Sequence, residues 1–203
     1  ANGYTPDEIF AIIKSAKAFR SLRPAWTWTG LLKLEALKDL ILLHLTHNSF
    51  EGLQKPLSVT ATDLIKGSVM YFDKGELIPA ILASSCVPAV FNPIRFNDTY
   101  YVDGGLLNNL PVEPLLEHCD FIIGSSCNHI ASDFDLRNMR SVIERSLLIA
   151  INSNTVTRKA HCNVVIEPPG LGGNSGFDLS KAQRLFDLGY EYTLSTFKKE
   201  HFI

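Results

Sequence analysis

The segment Tyr101-Val102-Asp103-Gly104-Gly105, closed by Leu106-Leu107-Asn108-Asn109-Leu110-Pro111, constrains this chain more than any other stretch. It sets one carboxylate at the end of a short apolar strand. Two glycines follow, so nothing bulky shields that carboxylate from a neighbour, and a proline-marked helix start comes soon after. A carboxylate so placed can receive and hold a proton for a nearby nucleophile. Asp-Gly is also a common turn dipeptide, because Asp bonds its own backbone and Gly accepts positive φ. Taken alone, the pair reads as a turn. Its functional weight comes from the sequence around it.

The chain has 203 residues, of which 46% are hydrophobic and 20% charged, with a formal net charge of −2. That is an ordinary globular composition, long enough to bury one sizeable core. The near-neutral charge argues against a nucleic-acid partner, which usually meets a basic face. No run of eighteen or more apolar residues is present, so no spanning helix is expected. Cys86, Cys119, Cys127 and Cys162 form no C-x-x-C pair and read as reduced thiols of a cytoplasmic protein.

Thr5-Pro6-Asp7-Glu8 predicts a helix start with a capping box, and Ile9, Ile12, Ile13, Ala16 and Phe19 follow at helical spacing. Arg20 to Gly30, with Trp26 and Trp28, predicts a loop over the core. A second helix is expected over Leu31 to Leu45 and strands over Leu57 to Thr62 and Ser68 to Phe72, with a turn at Lys66-Gly67. Glu76 to Ser85 predicts a helix ended before Val87-Pro88. Ile94-Arg95-Phe96 and Tyr100-Tyr101-Val102 flank Asn97-Asp98 as a hairpin. Phe121 to Gly124 and Asn163 to Ile166 read as buried strands. Met139 to Asn154 and Leu179 to His201 read as helices. Strands alternating with helices predict an α/β sheet covered by helices.

A serine nucleophile on a tight turn needs G-x-S-x-G, which does not occur. Gly124-Ser125-Ser126-Cys127-Asn128 and Gly173-Asn174-Ser175-Gly176-Phe177 each fail at the last position. His44 and His47 could share a helix face, yet no third ligand lies close, so a polar helix terminus explains them better. Gly170-Leu171-Gly172-Gly173 lacks the Lys-Ser/Thr of a phosphate loop. None of these patterns predicts a metal site.

Four blocks occur in order: Val59-Thr60-Ala61-Thr62-Asp63-Leu64, Leu82 to Pro93 around Ser84-Ser85-Cys86-Val87-Pro88, Val102-Asp103-Gly104-Gly105, and Asn108-Asn109-Leu110-Pro111. Together they resemble the second half of a patatin-like phospholipase domain, and Ala1 to Glu8 resembles the stretch after that family's nucleophile helix. The resemblance is dense over residues 1 to 15 and 55 to 120. It implies a three-layer α/β/α domain spanning 1–203, with helices on both faces and the N-terminal strands missing from this chain. It also implies a Ser-Asp dyad without histidine. Asp103 falls on the aspartate, with Gly104 and Gly105 completing its motif. The serine elbow and the oxyanion loop are expected ahead of Ala1, the serine by about three turns of helix. The implied activity is lipid acyl hydrolysis. Its implied partner is a phospholipid or other acyl-ester lipid met by transient contact with a membrane surface. Val87, Val90, Phe91, Leu106 and Leu107 are candidate apolar contacts, and core packing explains them equally well. A non-catalytic member that binds lipid or a partner is the alternative, and transacylation is a third outcome of the same dyad. Oligomeric state is not legible.

Overall fold

The computed structural model describes residues 1–15, 34–88, 90–127, 139–171 and 179–202. The chain divides into two compact units, Ala1–Leu107 and Asn108–Ile203. It is of mixed α/β content, as the alternation of patterns predicts.

In the first unit, helix α1 spans Pro6–Ser15. Its predicted capping box forms: the Thr5 N–H and Oγ1 donate to Glu8 Oε2 at 2.7 and 2.9 Å, and the Glu8 N–H donates back to Thr5 Oγ1 at 3.3 Å. This satisfies backbone donors that a helix start otherwise leaves open. Ala16, Phe19, Trp26 and Trp28 lie outside the described residues. Helix α2 covers Leu34–His44, within its predicted span.

Four strands make the sheet of this unit: β1 Val59–Asp63, β2 Ser68–Phe72, β3 Ile94–Phe96 and β4 Thr99–Asp103, in the order β2-β1-β4-β3. Every neighbouring pair is antiparallel. Two tight turns set the register. Gly67 takes φ +63° and donates to the Asp63 carbonyl at 2.9 Å. Asn97 and Asp98 both take positive φ, +48° and +60°, the conformation of a type I′ hairpin turn, and pair Phe96 with Thr99.

Alternation along these strands puts Val59, Ala61 and Asp63 on one face with Met70, Phe72, Tyr101 and Asp103. Helix α3, Leu77–Ser84, packs on that face. Its Leu77 and Ala80 meet Val59, Phe50 and Phe72, and its Ala83 meets Ala61 and Tyr101. The alanines on both partners let helix and sheet approach closely. Phe72 stands edge-on to Tyr101 at 5.4 Å between ring centres and lies 5.6 Å from Phe96, an arrangement that aromatic quadrupoles favour.

In the second unit, β5 Ile123–Ser125 and β6 Val164–Ile166 pair in parallel. The sequence predicts a fully buried first strand. Instead Ile122 and Gly124 are buried while Ile123 is 48% exposed, because strand alternation sends successive residues to opposite faces and only one of them is covered. Helix α4, Met139–Lys159, runs past its predicted end and finishes on Arg158 and Lys159, charges that suit a helix C-terminus. The predicted Leu179 to His201 helix is broken into α5, Ala182–Thr196, between the 3₁₀ turns Leu179–Lys181 and Lys199–Phe202. Phe197 is the breaking residue, with extended backbone at φ −115° and ψ 131°. Leu110, Val112, Ile122 and Cys162 form the core of this unit. No helix among the described residues is long and apolar enough to cross a membrane.

Candidate functional site

Asp103 is the last residue of β4 and leads into the 3₁₀ turn Gly104–Leu106. Three elements hold it. Its N–H donates to the Cys86 carbonyl, just beyond α3, at 2.9 Å. Its carbonyl accepts the Thr62 hydroxyl of β1 at 3.1 Å. Its carboxylate Oδ1 accepts the Gly105 N–H at 2.8 Å, so the side chain caps the turn that follows it. Oδ2 receives no hydrogen bond, and no cation pairs with the carboxylate, among the described residues.

The two glycines also shape the backbone of the turn. Both are buried. A Cβ on Gly104 would overlap the Thr60 carbonyl, so the side chain is absent because the backbone of the turn rests directly on β1. Gly105 supplies the N–H that holds the carboxylate.

Burial drives the Asp103 carboxyl above the usual aspartate range, with the Gly105 N–H pulling the other way. Beside it the Cys86 thiol is fully buried and pushed up to about 11, first by burial and further by the negative charge of Asp103. That thiol is neutral and donates to the Asn92 carbonyl at 2.8 Å, closing the loop after α3. Thr62 and Cys86 both fall inside the sequence blocks that drew attention to this region. The sequence assigns a role to neither, because their contacts are to the backbone of a residue some 17 to 41 positions away.

A second carboxylate, Asp63, has no exposed surface yet serves a turn. Its Oδ1 collects the Ile65 N–H at 2.8 Å, the Lys66 N–H at 2.9 Å and the Thr99 hydroxyl at 3.0 Å. The Lys66 N–H chiefly holds this carboxyl below its ordinary range.

The other sequence candidates separate from this site. Ser126 is buried and donates to Glu167 Oε1 at 2.9 Å, and Glu167 is itself paired with Lys159 at 2.6 Å. A serine whose acceptor is already neutralised by a lysine has no free base. Ser175 lies outside the described residues. His44 ends α2, its ring edge-on to Tyr4 at 5.9 Å and its carbonyl accepting from Asn2 at 2.7 Å, the polar terminus that the sequence indicates. No group of three metal-ligating side chains occurs among the described residues. Val87, Val90, Phe91, Leu106 and Leu107 are all half-buried.

A family model, patatin-like phospholipase, matches residues 1–116 and so spans the whole of the Asp103 site. The chain belongs to the patatin-like phospholipase family. Among curated patatin relatives, an uncharacterized NTE family protein of Mycobacterium tuberculosis is 33% identical over 110 residues, 54% of this chain and 31% of that protein. A second uncharacterized NTE family protein, from Mycobacterium bovis, is 31% identical over 70 residues, 34% of this chain and 12% of its own. A probable lipid hydrolase of Invertebrate iridescent virus 6 is 33% identical over 43 residues, 21% of this chain and 15% of that protein. The matched region therefore spans less than a third of the length of each of these patatin relatives.

Chemically, the arrangement offers a half-buried carboxylate that is more basic than an ordinary aspartate, held by one N–H, with its second oxygen free to accept a proton.

Proposed function

We propose that this chain supplies the general base of a lipid acyl hydrolase, with Asp103 as that base. The nucleophile is a serine in a G-x-S-x-G elbow contributed by residues ahead of Ala1. Asp103 takes the proton of the serine hydroxyl as its oxygen attacks the carbonyl of an acyl-ester lipid. The carboxylic acid then returns the proton to the departing alcohol, leaving an acyl-serine. Water repeats the sequence: Asp103 accepts one of its protons, the acyl–serine bond breaks, and the proton passes back to the serine oxygen. The dyad calls on neither a metal nor a cofactor.

The observation that carries this reading is the half-buried Asp103 carboxyl, which takes a single N–H, pairs with no cation among the described residues, and is raised above the ordinary range by burial. Asp63, which serves a turn, also leaves its Oδ2 without a hydrogen bond, but three donors on its Oδ1 hold its carboxyl below the ordinary range. Asp103 instead bears the cost of burial with one N–H in return. Membership of the family and the viral relative named a probable lipid hydrolase support the same class of reaction.

The test is Asp103→Asn in the whole protein, assayed on a short-chain nitrophenyl ester. Asn is isosteric and still accepts the Gly105 N–H, so circular dichroism should be unchanged. Turnover should fall by about 10²- to 10⁴-fold, the usual contribution of a positioned base. Retained turnover would refute the role.

A further inference from the structure

The polar face of β1 shows an asymmetry that the base alone does not explain. Thr60 and Thr62 project from this face at alternate positions, opposite the face that packs on α3, and Ser58 directly precedes the strand. The Ser58 and Thr60 hydroxyls are buried with no hydrogen-bond partner. Thr62 is 2% exposed, and its hydroxyl is spent on the main-chain carbonyl of Asp103 at 3.1 Å.

That carbonyl belongs to the planar peptide joining Asp103 to Gly104. Fixing its direction fixes the plane of the peptide, and with it the heading of the turn that brings the Gly105 N–H onto Oδ1 at 2.8 Å. The Asp103 N–H is held independently by the Cys86 carbonyl. The residue is thus clamped at both ends of its backbone. Of the two clamps, only the Thr62 hydroxyl is a side chain.

We propose that Thr62 is a positioning residue for the base: it touches no reacting atom, and its hydroxyl sets the direction in which the Asp103 carboxylate is presented. The inference rests on the reading of Asp103 given above. Val102, directly opposite Thr62 in the ladder, is an apolar and buried neighbour, so a valine methyl in place of the hydroxyl meets compatible surroundings.

The experiment compares Thr62→Val, Thr62→Ser and Asp103→Asn in the whole protein, with kcat and KM measured well below each variant's melting temperature. Thr62→Val removes the donor at constant shape. We expect kcat to fall between about 10- and about 100-fold, the effect of misplacing a catalytic group by up to an ångström, with KM within about threefold. Thr62→Ser keeps the donor and should restore kcat to within about threefold of wild type. Should the valine variant fail to fold, Thr62→Ala carries the same prediction. A hydroxyl that only stabilised the sheet would lower the melting temperature and leave kcat per folded molecule unchanged, and that result overturns the inference. If Asp103→Asn is inactive while Thr62→Val is fully active, only the positioning role fails. If Asp103→Asn is active, the base assignment fails and this inference with it.

Discussion

Replacing Gly104 by alanine tests the packing beneath the site most directly. A Cβ there would lie 2.6 Å from the Thr60 carbonyl carbon and 2.9 Å from Thr60 Cγ2, besides overlapping the carbonyl oxygen. Comfortable carbon contacts need about 3.5–4.0 Å, so something must retreat by roughly an ångström. Thr60 cannot retreat easily. It sits on β1, an interior strand paired to β2 on one side and β4 on the other. The strain must therefore fall on the Gly104 turn. Overpacking of this kind costs about 1–3 kcal/mol. For a chain of this size, that corresponds to a drop of about 3–10 °C in melting temperature. The same displacement carries the Asp103 carboxylate with it, and hydrolysis should fall by about 100-fold. Differential scanning calorimetry and a nitrophenyl-ester assay on the whole protein read the two effects. Gly189 supplies the control: it lies in α5 with open space where a Cβ would go, and Gly189→Ala should stabilise by about 1 kcal/mol. A Gly104→Ala protein with unchanged melting temperature and full activity would refute the close approach.

Three further outcomes follow from the electrostatics. Because burial raises the Asp103 carboxyl, its ionised form costs stability at neutral pH, and that cost disappears as pH falls through the raised value. Asp103→Asn should accordingly melt higher than wild type at pH 7, with the gap closing near the unfolded carboxylate's pKa of about 3.9; a lower melting temperature at pH 7 contradicts this. Asp63 has the opposite sign. Its carboxyl is held low, so its contribution is present above the unfolded value and fades as pH drops through the folded one. Asp63→Asn should lower the melting temperature at neutral pH and converge with wild type in acid, and parallel curves would show that its charge is not what the turn uses. The Cys86 thiol, fully buried and pushed up to about 11, should resist iodoacetamide at pH 8 while the exposed Cys119 and Cys127 are alkylated. Labelling of Cys86 at a rate equal to theirs, followed by peptide mass spectrometry, would show that the loop over it opens freely.

Local rules read well from this sequence where a short-range mechanism existed. Thr5 and Glu8 form their box because the two residues sit within one helical turn. The hairpin around Asn97-Asp98 is legible because few residue types other than Asn, Asp and Gly accept positive φ twice in succession. What failed depends on contacts distant in sequence. Phe121 to Gly124 reads as a buried run, but only one of its faces is covered. The alternation of strands and helices indicates α/β content without revealing that all neighbours in the four-stranded sheet are antiparallel, since α3 joins two edge strands rather than two neighbours. At the site, Asp103 and its glycines stand out as a contiguous motif. Thr62 and Cys86 do not, because their hydrogen bonds to Asp103 exist only once β1, β4 and the end of α3 have met.

The location of β4 between β1 and β3 limits how this region can change over time. Side chains along a strand change sides at each step, so inserting or deleting a single residue within β4 would bring the carboxyl out on the threonine-lined side, away from Cys86. The two-residue Asn97-Asp98 connection offers no slack to absorb the slip. Descendants of this sequence are therefore free to exchange amino acids along Thr99–Asp103 but not to lengthen or shorten the run, and gaps in this stretch should mark lineages that have given up the chemistry.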